Sequence, residues 1–336
     1  MTVSRHLRGL PHRLVTGLAG ALVVALAATG CGLSSGGAVP VAVGPGSIRP
    51  VPALEGVKVT VGGKEFTEQL VMAYLVELVL SAAGMQVNDL SGLAGSNSFR
   101  QALLNGEIDM GMEYTGTAWV SYMGEEKPIP DEREQWQAVH DKDLAEHHVV
   151  WFPPTTVNNT YSFAVDAENA RRTGVRTMSD LADLIRRDPG SATLCVETEF
   201  QVRRDGLPGM GGHYGFPVDR AKVSTLQTGI IYQATAEGRE CTFGEVFTTD
   251  GRIKGLGLQV LQDDKKFFPN YNAAISARQD FVDAHPEVQQ VLEPLRAVLT
   301  NEVMMDLNAR VDVDGEDPAA VARDFLVSRG LVTARQ

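Results

Sequence analysis

Two glycine-containing patterns are the nearest approach in this sequence to a catalytic or nucleotide-binding motif. Gly-x-Ser-x-Gly, typical of a nucleophile elbow, occurs at 32–36, but without the strand and helix that such an elbow requires. Residues 62–64 (Gly-Gly-Lys) follow a predicted strand as a phosphate loop would. Lys58, however, stands where the first glycine of that loop is needed, and Glu65 follows the lysine. Neither pattern predicts a nucleophile or a nucleotide site.

Metal-binding patterns are missing from the sequence as well. The seven histidines include no His-Glu-x-x-His pair. His147 and His148 are adjacent and cannot share one helix face, so a solvated helix end explains them better than a metal site does. We therefore expect no catalysis, no cofactor and no metal ion.

Six short motifs lie in order between residues 57 and 330. They are GGKEFTEQ at 62–69, QALLNGEID at 101–109, EYTGT at 113–117, NNTY at 158–161, TEF with RRDGLPG within 198–209, and TDGR at 249–252. Together they resemble the glycine betaine/carnitine/choline-binding proteins of osmoprotectant ABC importers, the ProX type. A single motif of this kind would be weak, but six in the same order make the resemblance strong.

The resemblance implies an α/β, two-lobed periplasmic-binding-protein-like fold of type II with a ligand cleft between the lobes. Lobe 1 would comprise 57–158 and 271–336, and lobe 2 would comprise 159–270. Two crossing segments, near 158–160 and 270–272, would join them, so that closure is a hinge motion. The implied partners are a membrane permease and its ATPase. The implied role is capture of an osmoprotectant such as glycine betaine, carnitine or choline.

The chemistry of such a ligand explains which side chains matter. A trimethylammonium group has no N–H to donate, so aromatic faces are its best host, whereas a ligand carboxylate favours a guanidinium fork. By the family's pattern, the ligand-binding residues would be the aromatic Tyr114, Tyr161, Phe200, Tyr232 and Phe247, with Arg203 as carboxylate clamp and Lys64 and Asp109 at the cleft edge. The alternatives are core packing for the rings, an ion pair for Arg203 and bonds to backbone N–H groups for Asp109.

Two departures from the family's pattern leave the ligand open. Gly111 stands where the family commonly has an aromatic residue, and Phe247 stands where it more often has tyrosine. Loss of one wall would enlarge the pocket and suit a bulkier ligand. The alternatives are therefore a binding protein for an amino acid, a polyamine or an aromatic compound, and, in another class, a secreted enzyme on a two-lobed scaffold.

Hydrophobic periodicity and turn residues predict the elements that position these side chains. Strands are predicted at 57–61, 86–90, 108–112, 161–165, 193–196 and 241–247, and helices at 67–83, 98–105, 131–147, 179–187, 228–237, 286–299, 302–311 and 318–328. Thr67 would cap the first helix and Asp317 the last. Alternation of strand and helix predicts a parallel sheet, and the last 60 residues are expected to contain no strand.

The N-terminal 30 residues have the features of a secretory signal. Arg5, Arg8 and Arg13 precede an apolar run at 14–28, which at about 15 residues is short for the roughly 20 needed to cross a bilayer. Ala-Thr-Gly before Cys31 resembles the lipobox of bacterial lipoproteins and implies cleavage there and lipidation of the thiol. The alternative is ordinary cleavage with Cys31 uninvolved. Residues 31–56, rich in glycine, serine and proline, predict a flexible tether.

Composition and charge restrict the function further. The chain has 336 residues, 43% of them apolar, and a net charge of −12. Loss of residues 1–30 removes three arginines and no acid, which gives a net charge of −15. Without a dense basic face the protein is not expected to bind nucleic acid. We expect it on the extracytoplasmic face of the membrane.

Two cysteines remain beyond Cys31. Cys195 and Cys241 each lie in a predicted strand, and an exported protein meets an oxidising compartment, so we predict a disulfide between them. The alternative is a pair of buried free thiols.

Overall fold

The computed structural model describes residues 36–125, 127 and 129–335. The predicted signal peptide and Cys31 lie outside these residues. The strands are β1 (Gly37–Ala38), β2 (Val43–Pro45), β3 (Lys58–Lys64), β4 (Gln86–Leu93), β5 (Met110–Tyr114), β6 (Val149–Trp151), β7 (Tyr161–Val165), β8 (Thr193–Val196), β9 (Lys222–Thr225), β10 (Phe243–Phe247), β11 (Gln259–Val260), β12 (Ala273–Arg278) and β13 (Val332–Ala334).

Helices cover the faces of the sheets. They are α1 (Thr67–Ala82), α2 (Gly95–Leu104), α3 (Thr115–Thr117), α4 (Glu132–His147), α5 (Ala167–Thr173), α6 (Met178–Arg187), α7 (Thr198–Val202), α8 (Leu207–Tyr214), α9 (Thr228–Glu237), α10 (Arg252–Gly255), α11 (Gln279–Ala284), α12 (Glu287–Val298), α13 (Asn301–Asp312) and α14 (Pro318–Ser328). Within the described part of the chain, none of them is both long and apolar enough to span a bilayer.

Two mixed sheets organise the chain. The six-stranded sheet has the order β1-β4-β3-β5-β12-β6, with β4, β3 and β5 parallel and β12 antiparallel to both of its neighbours. The five-stranded sheet has the order β11-β7-β10-β8-β9, with β10, β8 and β9 parallel. We call the first sheet with its helices lobe 1 and the second lobe 2. This α/β arrangement confirms the predicted fold class.

The chain passes between the sheets twice, through 152–160 and 261–272, and these crossing segments lie side by side. Asn158 and Asn272 form an isolated β-bridge. The backbone N–H of Tyr271 donates to Asn158 Oδ1 at 2.8 Å, and the Asn159 N–H donates to the Tyr271 carbonyl at 3.2 Å. These contacts hold the two crossing segments together at the positions where the hinge is predicted.

Helix α1 is the centre of lobe 1. Leu75, Leu78 and Leu80 are fully buried in it, and it packs against both β3 and α14. Its start differs from the prediction, because Phe66 occupies the cap position and the Thr67 hydroxyl instead donates to Asp312 Oδ1 at 2.6 Å. The helix stops before Gly84, whose φ of +103° favours glycine.

Residues 36–56 correct the expectation of a flexible tether. Strand β1 pairs with β4 and forms the edge of the six-stranded sheet, and β2 pairs with β13 near the opposite end of the chain. Val43, Ile48 and Leu54 are buried in the lobe 1 core. These side chains pack against α1 and the C-terminal strand, which are distant in sequence. The composition of 36–56, rich in glycine and proline, therefore gives no sign of this packing.

Strands β12 and β13 are absent from the prediction. Strand β12 lies inside the six-stranded sheet, yet its sequence Ala-Ala-Ile-Ser-Ala-Arg has little of the β-branched and aromatic character of strands. Strand β13 lies in the C-terminal stretch that was expected to be free of strands. Both owe their conformation to neighbours distant in sequence, β5 and β6 in one case and β2 in the other.

Cys195 and Cys241 form a disulfide inside lobe 2, with their Cα atoms 5.4 Å apart. Cys195 is on β8, and Cys241 lies just before β10, the strand that pairs with it. The bridge closes a loop of 46 residues, which in the chain-entropy account stabilises the fold by about 4 kcal/mol.

Candidate ligand-binding site

A cavity lies between the two lobes, where the carboxyl ends of β3, β5 and β10 meet. This edge is the usual place for a ligand in an open α/β sheet. The cavity encloses about 490 Å³ of space, part of it open to solvent. Its lining comprises Lys64, Glu65, Phe66, Gly95, Ser96, Tyr114, Thr117, Asn159, Tyr161, Glu197, Glu199, Thr228, Phe247 and Tyr271.

Five aromatic rings form a continuous array along this lining. Phe66 and Tyr114 belong to lobe 1, Tyr161 and Phe247 to lobe 2, and Tyr271 to a crossing segment. Neighbouring ring centroids lie 6.4 Å apart for Tyr114 and Phe66, and 5.2 Å apart for Phe66 and Phe247, for Phe247 and Tyr161, and for Tyr161 and Tyr271. The array therefore crosses from one lobe to the other.

Strand register explains why the lobe 2 rings meet. Strands β7 and β10 are antiparallel, and Phe247, the last residue of β10, is directly opposite Tyr161, the first residue of β7. In lobe 1, Tyr114 ends β5, and Phe66 stands between β3 and α1. These four rings are thus fixed at or next to the ends of regular elements rather than on long loops.

Glu68 holds the lobe 1 side of the array in place and also contacts lobe 2. Its carboxylate accepts hydrogen bonds from the Tyr114 hydroxyl at 2.7 Å, from Asn159 at 2.7 Å and from Asn308 at 3.0 Å. It also accepts one from the Thr249 hydroxyl of lobe 2 at 2.5 Å. Burial raises the pKa of Glu68, and these hydrogen bonds lower it again in part. The bond to Thr249 exists only while the lobes are in contact.

The single cationic side chain among the described lining residues is Lys64. Its Nζ lies 2.7 Å from Glu113 Oε1 and 3.3 Å from Ser96 Oγ. It also lies 4.8 Å from the centroid of the Tyr114 ring. The lysine charge is therefore neutralised by a buried carboxylate and lies against the aromatic array.

Three carboxylates, Glu65, Glu197 and Glu199, line the cavity. Burial raises the pKa of Glu197, an effect that the nearby charge of Glu199 increases. Burial alone would also raise the pKa of Glu199, but the charges of Arg203 and Lys64 and the hydrogen bonds from Ser96 lower it below its usual value. Glu199 is thus ionised at neutral pH, and the cavity is negative overall.

Four of the predicted ligand-binding residues line the cavity, namely Lys64, Tyr114, Tyr161 and Phe247. Two predicted rings do not. Phe200 is fully buried behind Tyr161, with its centroid 5.0 Å from that ring. Tyr232 is also buried, where its hydroxyl accepts the Phe247 backbone N–H at 2.9 Å. Both support the lining from behind, which corrects their assignment as walls.

The two remaining predicted residues also differ from expectation. Arg203 is paired with Asp205 at 2.5–2.8 Å and with Glu199 at 2.6 Å, and it does not line the cavity, so it is not free to clamp a ligand carboxylate. Asp109 precedes β5, at the end of the strand opposite the cavity. Its carboxylate accepts the Thr60 N–H at 2.8 Å and lies 3.6 Å from Arg278. The backbone-bonding alternative therefore describes Asp109.

Gly111 is not a missing wall of the cavity. A Cβ at this position would meet the Gly62 carbonyl oxygen at 2.4 Å and the Phe99 ring at 2.6 Å. These neighbours belong to the lobe 1 interior, so the absence of an aromatic ring at 111 does not enlarge the site. The inference of a wider pocket was wrong.

Sequence reasoning missed Phe66 and Tyr271 as lining rings. Phe66 lies within the motif at 62–69, and Tyr271 lies within the predicted crossing segment. An aromatic residue directly after a strand and another in a predicted crossing segment were the available signals. The Tyr271 hydroxyl donates to Asp205 Oδ2 at 2.5 Å, so the ion pair of Arg203 and Asp205 positions this ring.

Comparison with known proteins agrees with this geometry. Residues 57–328 match the family described as the substrate binding domain of ABC-type glycine betaine transport systems. A glycine-betaine-binding protein of Pseudomonas aeruginosa is 37% identical over 271 residues, which are 79% of this chain and 86% of that protein.

Two further comparisons extend the match. An ergothioneine transport permease/ergothioneine binding protein, EgtU of Helicobacter pylori, is 32% identical over 84% of this chain, which spans 49% of that protein. A crystal structure of a glycine betaine/carnitine/choline ABC transporter superposes with a TM-score of 0.66 at 27% identity, covering 82% of this chain and 98% of that one. The chain belongs to the family of substrate-binding domains of ABC-type glycine betaine transport systems.

Proposed function

We propose that this protein captures a small quaternary ammonium solute outside the cytoplasmic membrane and delivers it to a membrane permease driven by an ATPase. The observation that carries the proposal is the array of five rings, contributed by both lobes and a crossing segment, around a cavity of net negative charge. The family of the chain supports the transport role.

The array suits a trimethylammonium group for a physical reason. The positive charge of that group is spread over methyl groups that cannot donate to a carbonyl or carboxylate, but an aromatic face attracts it at about 0.5–2 kcal/mol per ring. The carboxylates of Glu65, Glu197 and Glu199 add long-range attraction in a partly desolvated space. A solute without a positive charge would gain little from either feature.

Closure of the lobes completes the site. Phe66 and Phe247 come from different lobes and stack at 5.2 Å, so opening at the hinge would remove one face from the ligand. Binding therefore favours the closed form by the difference in affinity between the two states. A permease that separates the lobes would weaken the site and release the solute.

Isothermal titration calorimetry with glycine betaine, choline, carnitine and proline betaine tests the proposal. At least one of them is expected to bind with a dissociation constant in the micromolar range or tighter. Absence of heat from all four, with the fold verified by circular dichroism, would defeat it. Ergothioneine belongs in the same panel, because the Helicobacter pylori relative is named for it.

The protein is also proposed to be a lipid-anchored receptor with no catalytic activity. Intact-mass analysis of membrane-extracted protein is expected to show cleavage before Cys31 and a diacylglyceryl group, both absent in Cys31→Ser. Recovery of the solute unchanged after long incubation is expected in the same preparation. A chemically altered solute would favour the two-lobed enzyme instead.

A further inference from the structure

We propose that a contact between 249–255 of lobe 2 and helix α13 of lobe 1, outside the ligand cavity, holds the lobes closed and thereby sets the affinity for the solute. The inference rests on the proposed function and concerns the regulation of the same site. None of the described lining residues of the cavity belongs to 249–255 or to α13.

Two polar contacts join this segment to α13. Asn308 Nδ2 donates to the Thr249 carbonyl at 3.0 Å, and Arg252 Nε lies 3.5 Å from Asp312 Oδ2. Asn308 and Asp312 are four residues apart, so they lie on one face of the helix. Each contact joins one lobe to the other and exists only while the lobes are closed.

Gly251 allows the two backbones to approach each other closely. A Cβ at this position would lie 2.4 Å from the Ala309 nitrogen, 2.5 Å from its Cα and 2.6 Å from its Cβ. The nitrogen and Cα belong to the helix backbone, so no change of rotamer makes room. Helix α13 is fixed in lobe 1 by the buried Met304 and Leu307. A side chain at 251 would therefore force the lobes apart.

Gly255, four residues further on, meets α13 again but less tightly. A Cβ there would lie 2.8 Å from Val313 Cγ2. Val313 is 51% exposed, so its side chain can turn away into solvent. Substitution of Gly255 should therefore disturb closure less than substitution of Gly251 does.

This contact favours the closed form without any atom of the solute. A solute that binds only the closed form has an apparent affinity proportional to the closed fraction. Residues that never touch the solute can therefore set how tightly it is held. The same contact has to break before the lobes separate.

Pulsed EPR distances and calorimetry on one preparation test the inference. Spin labels are attached to Ser98→Cys and Gln233→Cys in a Cys31→Ser background, which places one label at an exposed position on each lobe. We expect part of the solute-free protein to show the short, closed distance, and choline or glycine betaine to increase that part. Gly251→Ala is expected to lower the closed fraction and to weaken binding of both solutes about tenfold, and Gly255→Ala about threefold.

Two further variants control the result. Gly212→Ala lies in helix α8 of lobe 2, where a Cβ would meet no described part of the protein outside its own helix within 4 Å. It is expected to leave distances and affinity unchanged. Asp312→Asn keeps an acceptor for the Thr67 hydroxyl and removes the charge that faces Arg252, so binding should weaken about threefold. This variant decides the question if circular dichroism shows that Gly251→Ala does not fold.

The outcomes separate this inference from the proposed function. A closed fraction and affinity in Gly251→Ala equal to those of the wild type would overturn the inference and leave the proposed function intact. Weaker binding with unchanged distances would also overturn it, since the substitution would then act on the cavity rather than on closure. If no solute of the panel binds, the proposed function fails. The solute-free distances still test the contact in that case, and either an unchanged fraction or no closed fraction in the wild type would overturn it.

Discussion

The rings around the cleft form two layers with different duties. The lining layer, with Phe66, Phe247 and Tyr271 among its members, faces the cavity; Phe66 and Phe247 are half-buried, whereas Tyr271 is buried against its neighbours. The supporting layer, with Phe200 and Tyr232, is fully buried behind it. The same residue types occur in both layers. What separates them is position in the sheet, so variants in the two layers are expected to affect different properties.

Phe200→Ala should produce the largest effect, a loss of about 4 kcal/mol in the free energy of unfolding, because it leaves a cavity beside Tyr161 and Phe163. Urea unfolding measures it. Phe200→Leu serves as a milder control that refills most of the space. A Phe200→Ala protein as stable as wild type, but with weaker ligand binding, would place Phe200 in the lining layer after all.

Arg203→Ala is expected to reduce stability by about 3 kcal/mol, since it leaves the buried Asp205 without its partner. The Tyr271 hydroxyl would lose a well-placed acceptor at the same time. Choline and glycine betaine should both bind more weakly and to a similar degree. A loss confined to carboxylate-bearing ligands would instead restore Arg203 as a clamp on the ligand.

Much of the fold could be predicted, because the strands at 161–165 and 193–196 and the helix at 228–237 carry strong local signals, and the structure contains all three. Strand β12 could not, because its alanines take their conformation from β5 and β6. In the site, the sequence identified aromatic residues that belong to the lining layer and to the supporting layer. It did not show which of these rings face the cavity. That assignment depends on register, as between Tyr161 and Phe247.

Phe247→Ala should mark the lining layer. Affinity for the bound solute is expected to fall about tenfold, or about 1.4 kcal/mol, with a smaller change in stability than Phe200→Ala causes. Calorimetry and urea unfolding on the same preparation give both numbers. Phe247→Tyr keeps the aromatic face and should bind within about threefold of wild type. An unaltered affinity in Phe247→Ala would contradict the assignment.

Thr249→Val tests whether contact between the lobes contributes to binding. It removes the hydrogen bond from Thr249 of lobe 2 to Glu68 of lobe 1 without changing a ring, so affinity should fall about fivefold, close to 1 kcal/mol. Thr67→Val is the matched control, because its hydroxyl bonds Asp312 within lobe 1. Equal effects of the two variants on affinity would show that the bond to Glu68 does not report closure.

The pH dependence of binding should be the smallest effect. Affinity for choline is expected to be constant between about pH 7 and 9, because Glu199 has a lowered pKa and stays ionised. As the pH falls, Glu197 takes up a proton first, since its pKa is raised, and Glu199 follows at lower pH, since its pKa is lowered. Each step removes negative charge and weakens binding of a cation. Glu197→Gln should abolish the earlier step, as measured by calorimetry.

The central claim is that aromatic faces from both lobes enclose a positive charge, and a neutral isostere of choline tests it most directly. In 3,3-dimethyl-1-butanol a carbon atom replaces the quaternary nitrogen, so the shape and the hydroxyl are kept and the charge is lost. The protein is expected to bind choline at least 100-fold more tightly than this alcohol in side-by-side calorimetry. Equal affinities would show that the cavity recognises shape and apolar surface alone, and would contradict the account.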